Sequence, residues 1–295
     1  MMQDYIMFTG VNILLAWSVY IILMSGSLSF ANGAFMLIGA YVSGVLTVKF
    51  GVPLLVAAPI AGAATFLFGV LVGFPALRTR GIYLILVTVG IAVSVRGVAE
   101  SIPYIGGVQG FSGMSGGNPW HVVALVFGVG AALWAVSRSP LQRILDAVRE
   151  DELAAATLGI NIVHVKLTCF GIGAGLAAVA GSFYAHYMLH VTPDGFGILV
   201  SVYIVLYVVL GGTNNLWGSA VGAAIMTLLP ELVRGVAQWR PTVFGLTIIA
   251  LLLLRPDGLL AFRIPTVPTV RPPGKARPSG QGQDVARTDE TPEQR

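Results

Sequence analysis

The chain has 295 residues, 56% of them hydrophobic and only 10% charged, with mean hydropathy +0.83. A soluble globular domain carries about 25% charged residues, so a fully water-facing surface is excluded and lipid must cover much of the apolar surface. The net charge of +4 comes from Lys and Arg set between apolar runs and in the last stretch, Arg255 to Arg295. That is the pattern of membrane topology rather than of a nucleic-acid face.

About 20 apolar residues cross a bilayer as a helix. In chain order, the apolar runs predict spans at Tyr5–Met24, Ala34–Val48, Pro53–Gly73, Ile82–Ala99, Trp120–Ser137, Leu167–Leu189, Ile198–Gly211, Leu216–Leu229 and Thr242–Leu254. Met1 to Tyr5 carries no Lys or Arg and no small-residue cleavage site follows, so the first run is expected to be a retained span. The second, seventh and eighth runs are short. Beside Gly-rich turns such as Gly211-Gly212 they are expected to be broken or re-entrant. The fold class is therefore all-α: a polytopic transmembrane helix bundle of about eight to ten spans. A barrel is excluded because the runs are continuous and lack period-two alternation. Gly69/Gly73, Gly171/Gly175 and Gly218/Gly222, and the stripe Gly173, Ala177, Gly181, are candidate helix contacts. The lone Cys169 lies in an apolar run, which excludes an internal disulfide and a cysteine-based metal site.

Loops 74–81 (Arg78, Arg80) and 138–166 (Arg138, Arg143, Arg149, Lys166) hold the basic residues, whereas loops 100–119 and 190–197 hold none. The basic pair is expected to be cytoplasmic and the other pair outside. Lys49, Arg234 and Arg240 run against this count. The expected domains are a membrane unit at 1–262 and a disordered tail at 263–295, rich in Pro, Gly, Arg, Ser, Gln and Glu.

The loop 138–166 is too polar for the bilayer. Ser139-Pro140 starts a helix with a hydroxyl cap and a first-position proline. Leu141, Ile144, Leu145 and Val148 recur at helical spacing, with Arg143, Asp146, Arg149 and Glu150 on the other face. Then come Arg149-Glu150-Asp151-Glu152, the small run Ala154-Ala155-Ala156, and Gly159 and Asn161 as a stop. Pattern alone leaves a docking surface and a solvated connector both open.

Glu152-x-Ala154-Ala155-x-x-x-Gly159 resembles the coupling loop of bacterial ABC importer permeases. The wider run Asp146 to Asn161 is similar to the branched-chain amino acid permease family, within it the M-type subunit. Ser27-Leu28-Ser29-Phe30, Ile38-Gly39-Ala40-Tyr41, Arg80-Gly81-Ile82-Tyr83, Leu210-Gly211-Gly212, Leu229-Pro230-Glu231 and Arg255-Pro256-x-Gly258-Leu259 extend the likeness over 25–260. Leu153, Ile105 and Val93 depart from the family pattern. The resemblance implies a permease subunit of an ATP-driven importer that works by alternating access in the bacterial plasma (inner) membrane. It implies three kinds of partner: a homologous permease in a heterodimer, two cytoplasmic ATPase subunits and an external solute-binding protein. This chain would bind no cofactor, ATP being used by the ATPase subunits. The implied ATPase-coupling residues are Arg149, Glu150, Asp151, Glu152, Ala154, Ala155 and Gly159. The implied solute is a branched-chain or related amino acid, with urea, short amides or aromatic acids as alternatives.

Arg96 lies well inside a span, about 20 Å beyond Ile82. Snorkelling to the interface is one reading; a pore-lining or inter-subunit role is the other. His186 and His190, four apart, lack the glutamate of a zinc-protease helix and read as a surface end. Gly113-x-Ser115-x-Gly117 matches a hydrolase pattern but sits in a Gly-rich loop rather than a strand–turn–helix. Asp and Glu fall at loops, ends or tail, which argues against an ion-coupled carrier. The spans offer no nucleophile–base pair, so the chain is expected not to be an enzyme.

Overall fold

The computed structural model describes residues 2–232, apart from Arg80 and Asn214, and of the later chain only Gly245. The helices are α1 Met2–Met24, α2 Asn32–Phe50, α3 Leu54–Ala76, α4 Ile82–Ser101, α5 Pro119–Ser137, α6 Pro140–Glu150, α7 Glu152–Thr157, α8 Ile162–Met188, α9 Ile198–Gly211 and α10 Leu216–Leu232. All belong to one compact unit, Met1–Ala261. Among the described residues seven helical segments are long and apolar enough to cross a membrane, and Leu216–Leu228 is a shorter apolar helix. The fold is thus an all-α polytopic bundle. The expected span Thr242–Leu254 and the tail 263–295 lie outside the described residues.

Two boundaries differ from the sequence reading. The second span is not short: α2 has 19 residues. Its polar ends, Asn32-Gly33 and Lys49-Phe50, hid its length. The loop expected at 138–166 ends at Asn161, because Asn161 caps α8 by accepting from the His164 N–H at 3.1 Å. Lys166 therefore stands on a 27-residue helix, about 40 Å long at 1.5 Å per residue.

That long helix is the centre of the bundle, packed against α1, α2 and α3. Small residues make the approach close enough for backbones to touch. A Cβ at Gly39 would run into the backbone of Ala178, and one at Gly181 into the Met36 carbonyl. The expected stripe residue Gly173 meets the Ser18 carbonyl, and Gly69 meets Ala174. Gly211 and Gly218 likewise bring α9 and α10 together. The rings of Phe35 and Phe170 meet edge to face at 5.6 Å. Polar bonds lock the interior: Trp17 Nε1 donates to the Leu216 carbonyl at 3.1 Å and Asn12 Nδ2 to Thr227 Oγ1 at 2.9 Å. By contrast α4 and α5 are mostly open to the surroundings, as lipid-facing or partner-facing helices must be.

The bundle has two distinct ends. One carries α6 and α7. At the other, β1 (Phe111–Ser112) pairs antiparallel with β2 (His190–Val191). This joins the two loops that lack Lys and Arg. The Tyr187 hydroxyl donates to the Asp4 carboxylate at that same end. Lys49, an exception to the charge count, also lies there: its ammonium donates to the Tyr104 carbonyl at 2.8 Å and stands 3.0 Å over the Tyr104 ring. Its charge is therefore held by a loop, with no displaced span needed to explain it.

Between α1 and α2 the chain turns through Ser25–Ala31. Asn32 Nδ2 donates to Ser18 Oγ at 2.7 Å, the Phe30 N–H to Thr88 Oγ1 at 3.1 Å and the Gly33 N–H to Ser201 Oγ at 2.9 Å. Ser18 lies six residues before the end of α1, about 9 Å in from it. The α2 N-terminus therefore starts inside the bundle and is tied by hydroxyls to α1, α4 and α9.

Candidate functional site

The two short helices outside the spans, α6 and α7, form a hairpin with distinct inner and outer sides. Ser139 opens α6 as expected, its Oγ accepting from the Leu141 N–H at 3.2 Å. Val148 is the buried anchor of α6. Asp151 then ends one helix and starts the next: Oδ1 accepts from the N–H groups of Leu153 at 2.8 Å and Ala154 at 3.1 Å. Gly159 closes α7 in the left-handed region, φ 82°, and the Ile160 N–H reaches back to the Ala155 carbonyl at 3.2 Å.

The inner side carries three of the expected coupling residues. Ala155 is buried. Glu152 Oε1 accepts from Lys166 Nζ at 2.5 Å, which ties α7 to the first turns of α8. Arg149 faces two interhelical loops at once. Its Cα stands 3.4 Å from a Cβ built on Gly26, in the α1–α2 turn. Its guanidinium nitrogens lie 3.5 Å from the carbonyl and hydroxyl oxygens of Thr213, in the α9–α10 turn. A displacement of α6 would therefore push on both turns.

The outer side carries the rest. Glu150, Asp151, Ala154, Ala156 and Gly159 are exposed. So are two large apolar side chains, Leu153 at 73% and Leu158 at 77%. Leu158 was not singled out in the sequence, and Leu153 read only as a residue set between Glu152 and the alanine pair. Leu153 and Leu158 are thus bare apolar side chains among alanines and carboxylates on a polar hairpin beyond the spans.

Because α7 has only six residues, it depends on its cap. Removing an Asp N-cap costs about 1 kcal/mol, and a helix this short is marginal alone. Asp151→Ala is expected to raise amide hydrogen exchange across 152–159, and Asp151→Asn to leave it near wild type.

Arg96 lies at the opposite end. Its Nε donates to Glu100 Oε1 at 2.7 Å and its Nη2 to Asp194 Oδ1. The site residues expected from sequence therefore fall into two groups, the hairpin set and Arg96, at opposite ends of the bundle. His186 corrects the surface-end reading. It is fully buried, with Nδ1 2.8 Å from the Ser182 carbonyl and Nε2 2.8 Å from Thr47 Oγ1. His190 is exposed and pairs with Ser112 Oγ at 2.6 Å. Gly117 rests on the backbone of His186 and Tyr187, while Gly113, Ser115 and Gly116 are exposed in an irregular loop with no nucleophile elbow. It borders a cavity of about 690 Å³ lined by Gln3, Asn118, His121 and Tyr187 among others.

Comparison with known proteins places this architecture. The family model described as branched-chain amino acid transport system / permease component matches residues 1–255. The high-affinity branched-chain amino acid transport system permease protein LivM of Salmonella typhimurium is 29% identical, over 89% of this chain and 70% of the relative. The autoinducer 2 import system permease protein LsrC of Klebsiella pneumoniae is 31% identical over 48% of this chain and 42% of the relative. The permease protein LivH of Escherichia coli is 30% identical over 41% of this chain and 40% of the relative. No solved structure matches. With the family model matching most of its length, the chain belongs to the permease family of the branched-chain amino acid transport system and is a multi-pass membrane protein.

Proposed function

We propose that this chain is one of two homologous permease subunits of an ATP-driven importer in a bacterial plasma (inner) membrane. Two cytoplasmic ATPase subunits bind the α6–α7 hairpin, and an external solute-binding protein delivers solute to the opposite end. Residues 1–262 form the permease domain and 263–295 a cytoplasmic tail. ATP is bound and hydrolysed only by the partner subunits. The solute is a branched-chain or related hydrophobic amino acid, the class named for the LivM relative.

The observation that carries this reading is the two-sided hairpin. Outward it offers the exposed side chains of Leu153 and Leu158; inward it sets Arg149 against the turns at Gly26 and Thr213. A docked ATPase that binds one arrangement of the hairpin better than the other shifts the bundle between two states, which is all that alternating access requires. The coupling set expected from sequence divides accordingly. Glu150, Asp151, Ala154 and Gly159 face a partner, while Arg149, Glu152 and Ala155 transmit to the bundle.

Co-expression with candidate ATPase subunits tests the assignment. The chain is expected to retain them through affinity purification in detergent. If no ATPase subunit stays bound under any co-expression, the importer reading fails.

A further inference from the structure

An ionisable residue at membrane depth marks a functional position unless it is covered and paired. Arg96 stands about 21 Å along α4, and its network with Glu100 and Asp194 is paired without being covered. The side chains of Arg96, Glu100 and Asp194 are 37%, 31% and 77% exposed. One turn from Arg96 on α4, Val93 is exposed while Ala92 and Ala99 are buried, so Arg96 sits at the margin between packed and open surface.

The backbone beside it is irregular. Pro193–Phe196 is a single 3-10 turn, and α9 then has only 14 residues. With that turn, α9 forms one apolar segment of 19 residues, Pro193–Gly211. Asp194 stands at its outer end, its side chain 77% exposed. A Cβ on Gly197, which opens α9, would stand 3.5 Å from Arg96 Nη1. A guanidinium and a helix N-terminus thus converge, and both favour an anion.

We propose that Arg96, Glu100 and Asp194 are the contact for the zwitterionic head of an α-amino acid on the translocation pathway; this rests on the importer reading above. The solute carboxylate replaces Asp194 on Arg96, beside the α9 N-terminus. The freed Asp194 carboxylate, with Glu100, receives the solute ammonium. The guanidinium partners the solute carboxylate and the two carboxylates share the single solute ammonium, so the exchange of ion pairs keeps every charge partnered as solute enters and leaves.

The test is uptake of labelled L-leucine by the full complex, with its partner permease, ATPase subunits and binding protein, in proteoliposomes. Arg96→Gln and Asp194→Asn are each expected to lower initial uptake by about tenfold or more while the chain still co-purifies with its ATPase subunits. The exchange variant Arg96→Asp/Asp194→Arg remakes the ion pair but reverses its polarity, and is expected not to recover uptake. Uptake by Arg96→Gln within about twofold of wild type, or recovery in the exchange variant, would show a structural clip and overturn the proposal. So would loss of uptake confined to variants that no longer assemble, with Arg96→Lys and Glu100→Gln assembling and transporting normally. Wild-type complex that takes up no leucine overturns the solute reading and this inference together; normal transport by the variants overturns this inference alone.

Discussion

Leu153→Asp/Leu158→Asp is expected to strip the ATPase subunits from the purified chain while leaving the chain itself folded. Both side chains are largely exposed, at 73% and 77%, so the native bundle loses no packing. Burying a leucine against a partner contributes about 1.5–3 kcal/mol. Two together are worth on the order of 3–6 kcal/mol before the charge penalty, hence a hundredfold or more in affinity, since about 1.4 kcal/mol is tenfold. Size-exclusion profile and retained ATPase per chain are the measurements. Val148→Asp should behave differently. It puts a carboxylate where α6 is anchored in the bundle, so loss of the folded peak should accompany loss of the ATPase.

The second large effect is steric. Gly39→Leu is expected to abolish the monodisperse folded protein, and Gly39→Ala to lower thermal stability clearly. A Cβ at this position falls on the Ala178 backbone, which cannot rotate away as a side chain end could. Overpacking a well-packed core costs about 1–3 kcal/mol, and a methyl against backbone belongs at the upper end. Gly128→Ala on α5 is the control, because nothing lies within 4 Å of its added Cβ. There alanine is expected to be neutral or slightly stabilising, since glycine in a helix costs about 0.5–1 kcal/mol relative to alanine. Thermal unfolding in detergent followed by fluorescence size exclusion separates the three variants.

Much of the bundle was legible because lipid imposes a simple rule: long apolar runs must be helices. Ser139-Pro140 marked the start of α6 correctly, since a cap acts within its own turn. Boundaries set by polar residues inside a helix were missed. Asn32 and Lys49 look like ends of an apolar run, yet each is held from outside its helix, by Ser18 and Tyr104 respectively. Asn161 reads as a stop but opens α8; one side chain can serve either end, and only the following turn decides. The partners of side chains were the least visible. Arg96 draws Asp194 from 98 residues away, and His186 draws Thr47 from another helix. No local spacing encodes such pairs. Leu153 and Leu158 were hidden for a different reason: in a chain that is 56% hydrophobic, an exposed apolar residue is conspicuous only once the hairpin is known to lie outside the spans.

This permease is expected to move solute only when ATPases act on the α6–α7 hairpin. Reconstituted with its partner permease, ATPase subunits and solute-binding protein, it should accumulate labelled leucine in proteoliposomes with ATP. Uptake should be lost with a non-hydrolysable analogue and also with Leu153→Asp/Leu158→Asp. Leucine uptake that persists without ATP, driven by an ion gradient alone, would make the chain an ion-coupled carrier instead.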